Sequence, residues 1–197
     1  VVVAALGDSL SGGSFIDGRY VDDPSASYPA LVAERIHATR LGIVGIAGAV
    51  IQTIVESIGQ LPRDADLLLV NAGTNDMVVV ADGLDSLEQI RTNFDAMIAL
   101  SRSWMPKARI VIVGLRDVAC MDPDQMAGPH AIRRLRNAAE MHAAVRAFNE
   151  HILATPAATP VDLASREGSE SVALFPDAIH PSPLGVRWIA DAVLAAL

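Results

Sequence analysis

Strands and helices alternate along these 197 residues, and the strands are continuous apolar runs. Together these two observations predict an α/β fold with a mostly parallel sheet and helices on both faces. The first run, residues 1–6, reads Val-Val-Val-Ala-Ala-Leu with no polar interruption. A strand solvated on one face alternates apolar with polar residues; a strand buried on both faces does not. The length fits one domain, 1–197, with a substantial core, and no internal repeat, low-complexity tract or linker divides it.

Residues 28–39 read as the first helix, with Leu31, Val32, Arg35 and Ile36 spaced for one face. Residues 41–46 give a second strand, and 51–59 a short helix ending at Gly59. A third strand, 66–70, runs into a turn at Gly73-Thr74-Asn75-Asp76. Asp85 is placed to cap the next helix, with Glu88 three residues on as in a capping box. Leu87, Ile90, Phe94, Met97 and Ile98 form that helix's buried stripe. Residues 109–115 are a fourth strand, and 116–130, with Pro123, Gly128 and Pro129, a loop. Residues 132–153 make a long helix with Ile132, Leu135, Val145, Phe148 and Ile152 on one stripe. Residues 159–163 are the fifth strand. Ser182 then caps, and Pro183 opens, a closing helix that buries Val186, Ile189 and Val193.

Composition removes several classes of function. Charged residues make up 19% of the chain, below the usual ~25%, and hydrophobic residues 51%. The formal net charge is −8, opposite to the basic footprint of a nucleic-acid binder. Arg133, Arg134 and Arg136 form one basic cluster, which reads as a solvated helix face. The longest apolar run, residues 41–51, is broken by Gly42, Gly45 and Gly48 and falls short of the ~20 residues of a membrane span. Cys120 is the only cysteine, so an intrachain disulfide is excluded. No signal peptide is visible, and the start at Val1 without methionine leaves room for an upstream segment, a signal peptide or a tag. Secreted, periplasmic and cytoplasmic locations all stay open.

Three short motifs carry the chemistry: Gly7-Asp8-Ser9-Leu10-Ser11, Gly73-Thr74-Asn75-Asp76 and Asp177-Ala178-Ile179-His180-Pro181. Serine is a weak nucleophile at neutral pH and needs an adjacent base. His180 supplies one, and Asp177, three residues earlier, can hold its ring in one tautomer and stabilise the imidazolium. The Asn75 amide can donate to the oxyanion of a tetrahedral intermediate. In an open parallel sheet ligands bind beyond the carboxyl ends of the strands. Ser9 follows the first strand, Asn75 follows the third, and His180 precedes the last helix, so all three fall at one edge.

These blocks, with Gly48, resemble those of the SGNH hydrolases, also called the GDSL esterase/lipase family, across nearly the whole chain. The resemblance implies a flavodoxin-like three-layer α/β/α sandwich with a mostly parallel sheet of about five strands, and serine-dependent ester hydrolysis with no cofactor. It implies Ser9 as nucleophile, His180 as base, Asp177 as its orienter, and Ser9 N–H, Gly48 N–H and Asn75 as oxyanion donors. The second block departs from the common form. Residues 44–50 read Val-Gly-Ile-Ala-Gly-Ala-Val and lack the asparagine before, and the threonine after, the glycine. The substrate expected is a small-molecule ester or an acylated glycan; no nucleic acid, membrane span or metal is expected.

Asp8 and Asp76 read as carboxylates that hold their motif loops by accepting backbone N–H groups. His142 reads as a core or boundary histidine, and His130 as a loop residue near the active edge. Specificity is expected in loops 10–20, 77–80, 116–130 and 174–175, with residues Met77 to Val80 as an apolar wall. Arg19 and Arg116 read as solvated at the surface. An O-acyltransferase would use the same residues with an alcohol in place of water. Two further readings are a metal-dependent phosphoesterase, with Asp8, Asn75, Asp76, Asp177 and His180 as ligands, and a non-catalytic binding module on the same fold. Neither a dinucleotide Gly-x-Gly-x-x-Gly nor a Walker pattern occurs, and no Gly-x-Ser-x-Gly elbow surrounds Ser9.

Overall fold

The computed structural model describes residues 1–117 and 137–197. Its strands are β1 (Val2–Asp8), β2 (Ser14–Ile16), β3 (Arg19–Val21), β4 (Arg40–Ile46), β5 (Leu67–Asn71), β6 (Arg109–Val113) and β7 (Thr159–Val161). The helices are α1 (Ser9–Gly12), α2 (Tyr28–Arg35), α3 (Ile51–Glu56), α4 (Thr74–Ala81), α5 (Leu87–Trp104), α6 (Ala138–Leu153) and α7 (Pro183–Ala196). Five strands pair in parallel in the order β4-β1-β5-β6-β7. This is the doubly wound flavodoxin-like order, whose switch point lies between the first and third sheet strands, here β1 and β5. Helix α2 packs on α7, while α3, α5 and α6 pack in series, so helices flank the sheet.

The continuous apolar runs are the strands that bury both faces. Val3, Ala4, Ala5 and Leu6 of β1, Leu68, Leu69 and Val70 of β5, and Val111, Ile112 and Val113 of β6 are fully buried. Asn71 stays inside because its Nδ2–H donates to Val113 O at 2.9 Å, stapling β5 to β6 beyond their last ladder pair. Asn149 of α6 does the same for β6: its Oδ1 accepts from Leu115 N–H at 2.8 Å and its Nδ2–H donates to Leu115 O at 2.7 Å. The Asn149 amide, bonded at both ends, fixes α6 against the segment leaving β6. No helix among the described residues is long and apolar enough to cross a membrane.

The structure corrects several sequence expectations. Helix α2 ends at Arg35, and His37 takes a left-handed φ of 53° that stops it short of residue 39. Its buried face is Tyr28, Pro29, Val32 and Ala33; Arg35 is exposed and pairs with Asp191 at 2.9 Å. The cap of α5 is Ser86, whose Oγ accepts from Gln89 N–H at 3.1 Å, while Asp85 accepts from Ser86 N–H. Residues 14–21 form the hairpin β2–β3, and the turn at 73–76 is the entry to helix α4. Cys120, His130, the arginine cluster 133–136, and Ile132 and Leu135 of the long-helix stripe lie outside the described residues.

Phe94 of α5 and Phe148 of α6 meet edge to face, with centroids 5.3 Å apart, and both are fully buried. Truncating a buried phenylalanine removes its transfer free energy and leaves a cavity. Phe94→Ala is expected to lower unfolding free energy by about 3–5 kcal/mol in a urea titration. A loss below about 1 kcal/mol would contradict this packing.

Candidate active site

Strand β1 delivers Ser9 directly to the switch point, at the C-terminal edge of the sheet. The buried Asp8 caps the short helix α1, accepting from Leu10 N–H at 3.0 Å. That is the loop-holding role expected of it. The register pairs Asp8 with Ile46, so the turn carrying Gly48 leaves β4 beside Ser9. Ala49 N–H closes this turn on Ile46 O at 3.1 Å. Gly48 adopts φ 75°, a left-handed conformation that glycine takes without strain.

Asn75 arrives from the other side, on the first turn of α4. Gly73 precedes it at φ 118°, where a Cβ would lie 2.5 Å from the Phe148 ring. Only glycine fits this entry. The Asn75 Nδ2–H donates to Ala49 O at 2.9 Å, joining α4 to the Gly48 turn. Asp76 reinforces the join: both its oxygens lie 3.2 Å from Ile51 N–H at the start of α3, a helix without a side-chain cap of its own. Burial pushes the Asp76 carboxyl up to about 6, against the lowering effect of the Ile51 hydrogen bond.

The third segment is the loop before α7. Asp177 Oδ1 accepts from Ile179 N–H at 3.0 Å and from His180 N–H at 2.7 Å. The loop thereby wraps around its own carboxylate, and Ala178 takes a left-handed φ of 69°. Asp177 Oδ2 lies 2.6 Å from His180 Nδ1. An ionised carboxylate only accepts, so Nδ1 carries the proton and Nε2 presents its lone pair. That lone pair faces Ser9 Oγ at 3.1 Å. Burial pushes the Asp177 carboxyl up, but the His180 ring, its charge, and the His180 and Ile179 N–H groups together hold it below the ordinary carboxylate value. Geometrically the line Asp177–His180–Ser9 can move a proton from a hydroxyl to an imidazole held in one tautomer.

Two residues play parts that the sequence did not suggest. Arg116 is 4% exposed rather than solvated. Its guanidinium sits 3.7 Å over the Phe175 ring and donates to Ser169 O at 2.7 Å and to Ala178 O. Cation–π contact and two carbonyls replace the water an arginine normally keeps. Tyr20, on β3, donates its hydroxyl to Ser9 O at 3.1 Å and lays its ring 4.4 Å from the His180 ring. A signal for its hairpin was present: Asp17-Gly18, a type I′ turn dipeptide, with φ 50° and 80°.

Other expected positions fall elsewhere. Met77 and Phe175 are fully buried in the core, so neither belongs to a specificity wall. Val78 and Val80 are half-buried against the core. Arg19 is exposed as expected. His142 sits at the boundary, its Nδ1 paired with Asp117. Among the described residues no group of three or more His, Cys, Asp or Glu is arranged to hold a metal ion. Asp8 and Asp76 instead face the backbone N–H groups of Leu10 and Ile51.

A model of the GDSL-like Lipase/Acylhydrolase family matches residues 5–188. Comparison with curated proteins finds no match. Among solved structures, the chain is similar to a phospholipase A1 from Streptomyces albidoflavus NA297, with 18% identity, 99% of this chain and 98% of that one covered, and a TM-score of 0.70. It is similar to an extracellular lipase from Streptomyces rimosus at 18% identity, with all of both chains covered (100% each) and a TM-score of 0.68. A lipolytic protein of the G-D-S-L family from Veillonella parvula DSM 2008 shows 16% identity, coverage of 99% and 97%, and a TM-score of 0.71. At these identities the likeness is one of fold.

The raised Asp76 carboxyl makes a pH prediction. Its folded value of about 6 lies above the ordinary 3.8, so the native state holds this proton more tightly than the unfolded chain. The stability it contributes is present below the unfolded value and is lost as pH rises through about 6. Asp76→Asn should therefore gain stability relative to wild type between pH 4 and 6, by on the order of 2–3 kcal/mol, and then level off. Urea unfolding at each pH reads this difference, and a gap that narrows with rising pH would contradict it.

Proposed function

This chain belongs to the GDSL-like lipase/acylhydrolase family and is a hydrolase acting on ester bonds, and we propose that it cleaves carboxylic esters through an acyl-enzyme on Ser9. The observation that carries this reading is the unbroken contact line from Asp177 to His180 at 2.6 Å and from His180 to Ser9 Oγ at 3.1 Å. As Ser9 Oγ attacks the ester carbonyl, its proton passes to His180 Nε2. Asp177 stabilises the imidazolium that results, through the Nδ1–H it already accepts. The protonated ring then gives its proton to the departing alcohol. A water molecule, deprotonated by His180, attacks the acyl-enzyme and releases the acid and Ser9.

Negative charge on the tetrahedral oxygen is met by Ser9 N–H, Gly48 N–H and the Asn75 amide. An amide nitrogen carries two hydrogens. With one committed to Ala49 O, the rotation of the Asn75 amide is fixed before substrate arrives. A donor oriented in advance stabilises the transition state without reorganising as charge develops. The Gly48 turn that accepts this bond is the one that offers the second donor, so the two are set against each other.

The substrate class proposed is a small-molecule carboxylic ester. The Streptomyces neighbours are named as a phospholipase A1 and a lipase, which supports an apolar acyl group. Chain-length preference is read directly from p-nitrophenyl esters of increasing acyl length.

Initial rates on p-nitrophenyl acetate test the assignments. Ser9→Ala should lose at least ~10³ in kcat. Asp177→Asn should lose about 10⁴, because the imidazole tautomer is no longer imposed. Asn75→Ala should lose ~10²–10³, the usual cost of one oxyanion donor. Wild-type activity should survive a chelator. An unchanged rate in Ser9→Ala would sink the mechanism.

A further inference from the structure

The hairpin β2–β3 touches both the nucleophile segment and the base loop. Phe15 N–H of β2 donates to Pro181 O at 2.7 Å, tying the hairpin to the residue after His180. Tyr20 of β3 reaches the other way, donating its hydroxyl to Ser9 O at 3.1 Å. Its ring covers one face of the His180 imidazole, centroid to centroid 4.4 Å with a 36° tilt. The approach is close: a Cβ on Gly13 would lie 2.0 Å from Val21 O and 3.0 Å from the Tyr20 hydroxyl.

Ser9 and His180 are 171 residues apart in sequence, and their 3.1 Å contact depends on two loops keeping their separation. His180 must satisfy two partners at once, Asp177 at Nδ1 and Ser9 at Nε2. A ring that swings about its χ angles loses both. We propose that Tyr20 is a positioning residue for the ester hydrolysis, a brace that fixes the base against the nucleophile through its ring on His180 and its hydroxyl on the Ser9 carbonyl. The inference rests on the Ser9–His180–Asp177 reading above. Burial, then the negative charges of Asp22 and Asp8 and a hydrogen bond to Asp22, push the Tyr20 phenol up, so the hydroxyl keeps its proton. A misplacement of the order of 1 Å in a reacting group can cost ~10²-fold in rate. The effect belongs in kcat and not in KM, because Tyr20 acts through the catalytic groups.

The test compares wild type, Tyr20→Phe and Tyr20→Leu. Three quantities are measured: kcat and KM on p-nitrophenyl acetate, melting temperature, and the rate at which a fluorophosphonate labels Ser9. Tyr20→Leu, which loses ring and hydroxyl, should lower kcat about 10- to 100-fold with KM within about twofold, and slow labelling in parallel. Tyr20→Phe keeps the ring and should recover most of this, leaving a deficit of about threefold with an unaltered melting temperature. This second variant decides the matter if Tyr20→Leu fails to fold. Equal kcat and equal labelling in all three proteins would overturn the brace. A loss confined to KM would also overturn it and make Tyr20 a wall of the substrate site. Failure of wild type to be labelled on Ser9 would instead bring down the mechanism on which the inference rests.

Discussion

A carboxylate buried as deeply as that of Asp177 stays ionised because hydrogen bonds from its own loop converge on it: the backbone N–H groups of Ile179 and His180 and the His180 ring. Desolvation alone would push this carboxyl up. The loop must curl to bring these donors round, and it does so through the left-handed Ala178. Arg116 holds that residue's carbonyl from beneath, with its charge over Phe175. The shape of this turn, and hence the direction of the imidazole, depends on keeping one buried charge satisfied. Below the ordinary carboxylate value the same interaction works in reverse. The stability given by the lowered Asp177 carboxyl is present above its unfolded value and is lost as pH falls through the folded one.

The sheet then supplies the meeting place. A parallel sheet with β1 between β4 and β5 sends the chain out of all three strands at one edge, and three of the site's segments follow those strands. What turns proximity into a site is a set of polar cross-links between those segments. Asn75 and Asp76 bind α4 to the Gly48–Ile51 turn. The hairpin binds the Ser9 segment to Pro181. Each cross-link engages a backbone group of a neighbouring segment, so local stability and site geometry share the same contacts.

The strands and the site motifs were legible in the sequence because their signals are local. Continuous apolar runs identify β1, β5 and β6, and Ser182-Pro183 marks the start of α7. Ser9, Asn75, Asp177 and His180 stand out because acyl transfer needs those residue types together. Less was legible where structure comes from distant contacts. Helix α4 contains Val78, Val79 and Val80, poor intrinsic helix formers, and is held by packing on α6 and by its two polar contacts to the Gly48–Ile51 turn. Strands β2 and β3 are three residues each, too short for alternation to show, and only Asp17-Gly18 hinted at them. Arginine is ordinarily an exposed residue. The burial of Arg116 follows from Phe175, Ser169 and Ala178, which are near it only in the fold. At Ser86 the cap lies one residue from the predicted Asp85, since either side chain suits the position.

The proposed catalysis turns on a covalent bond to Ser9. It is tested most directly by acid-quenching the enzyme during turnover of p-nitrophenyl acetate and locating the acetyl group by peptide mass spectrometry. An acetyl adduct of about 42 Da is expected on the peptide bearing Ser9, at about one per active site or a steady fraction of it, and none in Ser9→Ala. Active turnover with no adduct, or with the acetyl group on another residue that Ser9→Ala leaves in place, would contradict it.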